Sequence, residues 1–121
     1  MKLAIPVDEC KLDSSVCVSF GRTPYFLFYN TETGEEIYFD NSAISAEAGA
    51  GIKAAQKIVD EKADALLTIR CGENAAAVLN AAGISLYKTI DANAADNIDA
   101  FKAGKLSVLT EIHAGFHGGQ R

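Results

Sequence analysis

The apolar residues of this 121-residue chain switch near residue 42 from strand periods alone to helical periods alternating with strands, and that switch restricts the fold more than any other feature. Up to Phe39 the pattern is that of strands. Lys2-Leu3-Ala4-Ile5-Pro6-Val7 reads as a first strand ending at Asp8, with Pro6 placing one backbone position near an edge or bulge, because proline has no N–H for a ladder. Residues 9–15 are polar and turn-like, 16–20 read as a short strand, and Gly21-Arg22-Thr23-Pro24 reads as a bend. Residues 25–29 and 36–39, rich in aromatic and aliphatic side chains, are joined as a hairpin through Asn30-Thr31-Glu32-Thr33-Gly34. After Asn41 and Ser42 the spacing becomes helical: Ile52, Ala55, Ile58 and Val59 predict an amphipathic helix over 46–61. Ala65-Leu66-Leu67-Thr68-Ile69 is a run of the buried-strand type, and Cys71-Gly72 leads into a helix over 74–82 that stops at Gly83. Residues 84–87 supply another strand, and Asn93 caps a last helix with Ile98 and Phe101 inward and its end at Gly104. Three strands followed by αβαβα predict an α/β layered domain.

Length and composition bound the function classes. With 49% apolar residues the chain can bury one core and has no room for a second domain. A net charge of -5, with Lys and Arg scattered, argues against nucleic acid as a partner, since phosphate neutralisation needs clustered cations. The apolar run after Lys2 is too short for a signal peptide and no run reaches a membrane span, so the expectation is a soluble cytoplasmic protein with no membrane partner. Three cysteines cannot all pair internally, which fits free thiols in a reducing compartment. The pattern leaves the oligomeric state open.

The block Phe20-Gly21-Arg22-Thr23-Pro24-Tyr25-Phe26 resembles the signature of the dinitrogenase iron-molybdenum cofactor biosynthesis family, which includes NifX, NafY and the C-terminal part of NifB. Matching segments are the opening KLAIPV, AGAGIKAA at 48–55, TIRCGENA at 68–75, GISLY at 83–87 and AGKL at 103–106. The resemblance implies a ribonuclease-H-like three-layer fold, with a mixed five-stranded sheet flanked by helices, over a single domain of residues 1–106. Residues 107–121 are expected as a flexible C-terminal tail. It also implies a small non-catalytic carrier or chaperone for an iron-sulfur or molybdenum-containing cluster, or its precursor, exchanged with cluster donor and acceptor proteins. The alternative on the same fold is a metal-free protein-interaction or regulatory module. Many relatives carry histidines just before the Phe-Gly of the signature and ahead of the Gly-x-Gly helix start, where this chain has Ser19 and Ala48, so no histidine ligand carries over there.

The residues themselves offer Cys10, Cys17 and Cys71 as candidate metal ligands. Cys10 and Cys71 follow strands, where loops gather in open α/β sheets. Cys71 also stands just before a helix, whose unsatisfied N–H groups and dipole would lower a thiol pKa and supply the thiolate that soft metals require. The intervals of six and fifty-three residues between the cysteines are not the short pairs of zinc ribbons or ferredoxins, and each cysteine has an equally ordinary reading as a small buried residue. Arg22 either hydrogen-bonds an anionic cluster or ties its loop to a nearby carboxylate. Gly49, Gly51 and Gly72 either let backbone N–H groups approach an anion or serve close helix-sheet packing. His113 and His117 lie four apart in a glycine-rich tail that could deliver metal ligands or simply be solvated. Asp8, Asp13 and Glu73 are the only obvious loop acids, too few for a two-metal nuclease, and no Gly-x-Ser-x-Gly or phosphate-loop signature is present, so no enzyme activity is expected.

Overall fold

In the computed structural model, residues 1–110 are described together with the backbone of 112–113. The elements are β1 (Lys2–Val7), β2 (Tyr25–Asn30), β3 (Glu36–Asp40), α1 (Ser42–Ser45), α2 (Ala50–Asp60), β4 (Ala65–Thr68), β5 (Cys71–Gly72), α3 (Glu73–Ala81), β6 (Ser85–Lys88), α4 (Ala94–Lys102), β7 (Ser107–Val108) and β8 (Ile112–His113). The main sheet is mixed and runs β3-β2-β1-β4-β6-β7, while β5 and β8 form a separate parallel pair.

Alternation along the central strands places one core on each face of this sheet, as a period of two requires. Ala4, Phe26, Phe28, Leu66 and Leu86 meet Ala54, Ala55 and Ile58 of α2 and Ala75, Ala76 and Leu79 of α3. On the opposite face Leu3, Ile5, Val7, Leu27 and Leu67 meet Val16 and, from α4, Ala94 and Ile98. Helices therefore cover both faces, which is why β1 and β4 are apolar almost throughout.

The β2–β3 hairpin forms as its sequence predicts, with the Asn30 side-chain oxygen accepting from the Glu32 and Thr33 N–H groups and Gly34 at φ +78°. Pro6 sits in a central strand, yet beyond the parallel register, which pairs Leu3 with Ala65 and Ala4 with Leu66, so its missing N–H breaks none of those pairings. Three expectations are corrected. The sheet has six strands rather than five, because Ser107–Val108 adds antiparallel to β6 in a stretch expected as tail. The helix expected over 46–61 starts only at Ala50, after Gly49 takes φ +73° as its N-cap, and a separate short helix α1 precedes it. The short strand expected over 16–20 reduces to a single bridge between Val16 and Val7. Among the described residues no helix is long and apolar enough to cross a membrane.

Candidate functional site

The family-like block forms one wall of a cleft of about 380 Å³, and its geometry follows from a close backbone approach. A Cβ on Gly21 would stand 2.8 Å from both the Cα and the N of Gly51, so the bend can lie on the first turn of α2 only with glycine at position 21. Asn41, fully buried, holds the bend from beneath: its Nδ2 donates to the carbonyls of Gly21 (3.1 Å) and Thr23 (3.0 Å), and its N–H donates to that of Pro24 (2.9 Å). The buried Thr23 hydroxyl lies 3.0 Å from the carbonyls of both Val7 and Tyr25 and shares its single proton between them, fastening the bend to β1 and β2.

The second wall is the start of α2 and the third is the segment 70–75, where the chain leaves β4, passes through β5 and enters α3. Helices α2 and α3 lie on the same sheet face with their first turns adjacent, since a Cβ on Gly51 would sit 3.9 Å from that of Ala75. Their N-termini thus open side by side on the cleft. Both N-caps are glycine, Gly49 and Gly72, so neither end is closed by a side chain. Helix α4 is built differently: Asn93 Oδ1 accepts from the Asp96 N–H at 2.8 Å, and the N–H groups of Ala94 and Ala95 donate to the carbonyls of Ser14 and Leu12. The two open ends each carry roughly half a positive charge and a set of outward N–H donors. Arg22 and Arg70, both exposed, add two guanidinium groups to the same cleft, while Glu73 contributes one opposing carboxylate. Arg22 spends one N–H on the carbonyl of Ser45 (2.6 Å), a backbone partner in place of the expected carboxylate, which ties the bend to the end of α1, and its backbone N–H donates to Ser19 Oγ.

Of the residues singled out from sequence, the cleft brings together Arg22, Gly49, Gly51, Cys71 and Gly72. It does not bring together the cysteines. Cys71 is 1% exposed, and burial pushes its thiol up to about 11 rather than letting the helix end lower it. Cys17 is half-buried beside Asp8 and Thr23, with its thiol also raised, chiefly by burial. Cys10 is exposed on a loop that the α4 N-terminus draws to the opposite face of the sheet. Among the described residues no three His, Cys, Asp or Glu side chains gather as a metal-binding group. The side chain of His113, and His117 altogether, lie outside the described residues.

Sequence reasoning missed Arg70. The available signal was a cation immediately before a cysteine at the end of a buried strand. It also missed the rim of the cleft, where Val18 and Ile52 are 53% and 46% exposed.

Comparisons with known proteins agree with one another. The family model described as dinitrogenase iron-molybdenum cofactor matches residues 1–104. The apo form of the orange protein from Desulfovibrio gigas is similar at 30% identity and a TM-score of 0.85, over 90% of this chain and 92% of that one. A NifB-like protein from Thermotoga is similar at 33% identity and 0.81, over 94% and 97%. A dinitrogenase-like protein from Methanocaldococcus jannaschii, at 23% identity and 0.70 over 91% and 95%, shares the fold. Among curated proteins no sequence matches.

Proposed function

This chain belongs to the dinitrogenase iron-molybdenum cofactor family, and we propose that it acts as a non-catalytic cytoplasmic carrier whose cargo is an anionic metal-sulfur cluster or its precursor. The observation that carries this reading is the convergence of two glycine-capped helix N-termini and two arginines on one cleft. Sulfide-rich iron or molybdenum species are anions with many acceptor atoms, and such a cradle offers them backbone and guanidinium N–H donors at positions fixed by the fold. Local charge decides the match, because the chain as a whole is at -5 and would otherwise repel an anion.

The donor set supports holding by hydrogen bonds and charge with at most one thiolate, in place of the three-thiolate site that the cysteine count suggests. Cys71, buried in the cleft wall, is protonated at neutral pH, so any bond from its sulfur to a metal releases a proton. Function is then ligand exchange: the cargo enters from a donor protein, is held in the cleft and passes to an acceptor. The β3-β2-β1-β4-β6 sheet order with helices on both faces is compatible with the ribonuclease-H-like class that the family resemblance implies.

The test is anaerobic loading with iron and sulfide and, separately, with tetrathiomolybdate and copper, reading bound metal and visible absorption. Wild type should retain a coloured species in stoichiometric amount, and Arg70→Gln, exposed and remote from the core, should weaken retention about tenfold through loss of one charge-assisted contact. Retention should also weaken with added salt. No retained metal under either condition would replace the carrier by the metal-free interaction module.

A further inference from the structure

Strand β3 ends the main sheet, and among the described residues nothing pairs with its outer edge. The β2–β3 ladder shows which backbone groups that edge leaves open. At one end the Asn30 N–H donates to the Glu35 carbonyl (3.0 Å), and at the other the Asn41 N–H donates to the Pro24 carbonyl (2.9 Å). Bonded positions in an antiparallel ladder recur every second residue, so Ile37 and Phe39 bond inward while Glu36, Tyr38 and Asp40 turn their N–H and C=O groups outward. Side chains alternate with the same period. Ile37 and Phe39 lie on the α2 face, where Ile37 is 47% exposed, and Glu36, Tyr38 and Asp40 share the other face. Both carboxylates are held in place: Tyr38 Oη donates to Glu36 Oε1 and the Ser42 N–H to Asp40 Oδ1, each at 2.9 Å. Residues 31–42 carry four acids and no cation. Nearby cations are already engaged, Lys57 above the Phe39 ring by Glu61 (2.9 Å), and Lys11 by Glu9 (3.3 Å) and Asp13 (3.9 Å).

An edge with open donors and acceptors is a template for another strand, and its charges decide which strand can use it. A second copy paired antiparallel about Tyr38 would set Glu36 of each chain opposite Asp40 of the other, and like charges directly opposite destabilise a pair. We propose that the outer edge of β3 docks an extended segment of a partner protein in which cationic and apolar side chains alternate. Antiparallel pairing then sets Lys or Arg opposite Glu36 and Asp40 on one face and apolar side chains opposite Ile37 and Phe39 on the other. The outward N–H and C=O groups hold the segment, and the two carboxylates, about 13 Å apart along the strand, fix its register. None of this edge lines the cleft, so the docking does not depend on the carrier reading.

The test titrates the full chain, without cargo, with the capped peptide Thr-Lys-Val-Thr-Val-Lys-Thr and with its counterpart carrying Glu in place of both Lys, while backbone amide resonances are followed. Shifts centred on the amides of Glu36, Tyr38 and Asp40 are expected, with the cationic peptide bound about tenfold more tightly than the acidic one and the preference shrinking as salt is added. Glu36→Pro deletes one outward N–H and one carboxylate and leaves the inward ladder intact, so it should keep the rest of the spectrum and lose the binding. The double variant Glu36→Gln, Asp40→Asn keeps every backbone group and should bring the two peptides within about twofold of each other, which tests the charge even if the proline variant unfolds. Equal binding of both peptides by wild type, or shifts centred elsewhere, overturns the proposal. Binding of neither overturns it too and leaves the acids as a guard against edge pairing. Concentration-dependent shifts of the same three amides in the absence of peptide would give the edge to a second copy instead.

Discussion

Alanine at positions 21 and 51 should move stability in opposite directions, although the two glycines touch. At Gly21 the new Cβ meets backbone atoms, the Cα and N of Gly51 at 2.8 Å and the carbonyl carbon of Ala50 at 3.2 Å, none of which can rotate away. The bend must lift off α2 while Asn41 and Thr23 hold it down, an overpacking cost of about 1–3 kcal/mol. At Gly51 the nearest atom to a new Cβ is that of Ala75, at an ordinary 3.9 Å. Replacing glycine there restricts the unfolded chain and favours the helix, worth about 0.5–1 kcal/mol in the stabilising direction. At roughly 2.1 cal/mol/K of unfolding entropy per residue, a chain of 121 residues shifts its Tm by about 4 °C per kcal/mol. Gly21→Ala should therefore melt about 4–12 °C below wild type and Gly51→Ala about 2–4 °C above it. Urea titrations should show the same order in midpoint at unchanged slope. Wild-type stability in Gly21→Ala would mean that the bend is not seated on α2 as described, and the cleft would lose its first wall. A loss in Gly51→Ala as large as in Gly21→Ala would refute the claim that the contact is one-sided.

Two further outcomes follow from the same geometry. Asn41→Ala removes the donors for the carbonyls of Gly21 and Thr23, one of those hydrogen bonds being fully buried, and should cost roughly 2–4 kcal/mol in urea unfolding. On the proposed carrier function it should also weaken metal retention in the loading assay, because the bend carries Arg22. The Cys71 thiol is raised by burial from 9.0 to about 11, so above pH 9 the unfolded chain gives up a proton that the folded chain keeps. Stability from this group is complete below pH 9 and falls as pH rises toward 11. The difference in unfolding free energy between wild type and Cys71→Ala, measured at pH 7.5 and pH 10, should shrink at the higher pH, and a constant difference would count against a buried thiol.

The order of elements was legible because long apolar periods and turn residues are local signals: the β2–β3 hairpin, α3 ending before Gly83 and the Asn93 cap all follow from neighbouring residues. The late start of α2 was not, since Ala46 to Gly49 read equally as the first helical turn until the positive φ of Gly49 is seen. Nor was the sixth strand, because two exposed residues, Ser107 and Val108, carry no pattern of their own and are ordered by pairing with β6. Of the residues singled out for the site, the FGR block, the three glycines and Cys71 share the cleft, whereas Cys10 and Cys17 lie outside its lining. Their convergence depends on which face the loop after β1 takes. That choice is made by distant partners, the N–H groups of Ala94 and Ala95. Arg70 became visible only once β4 and α3 were placed around it.

The three walls of the cleft come from residues 18–22, 49–52 and 70–75, far apart in the chain, and this has a consequence for the order of events in a cell. During synthesis the bend and the start of α2 emerge before the third wall, which has no fixed position until β4 has docked in parallel beside β1. A nascent chain therefore lacks the assembled cleft, and under the proposed function loading would follow completion of the fold. Cargo bound only to that state shifts the balance away from every partly unfolded form by mass action. Under the proposed carrier function, a loaded protein should outlast an empty one under proteolysis.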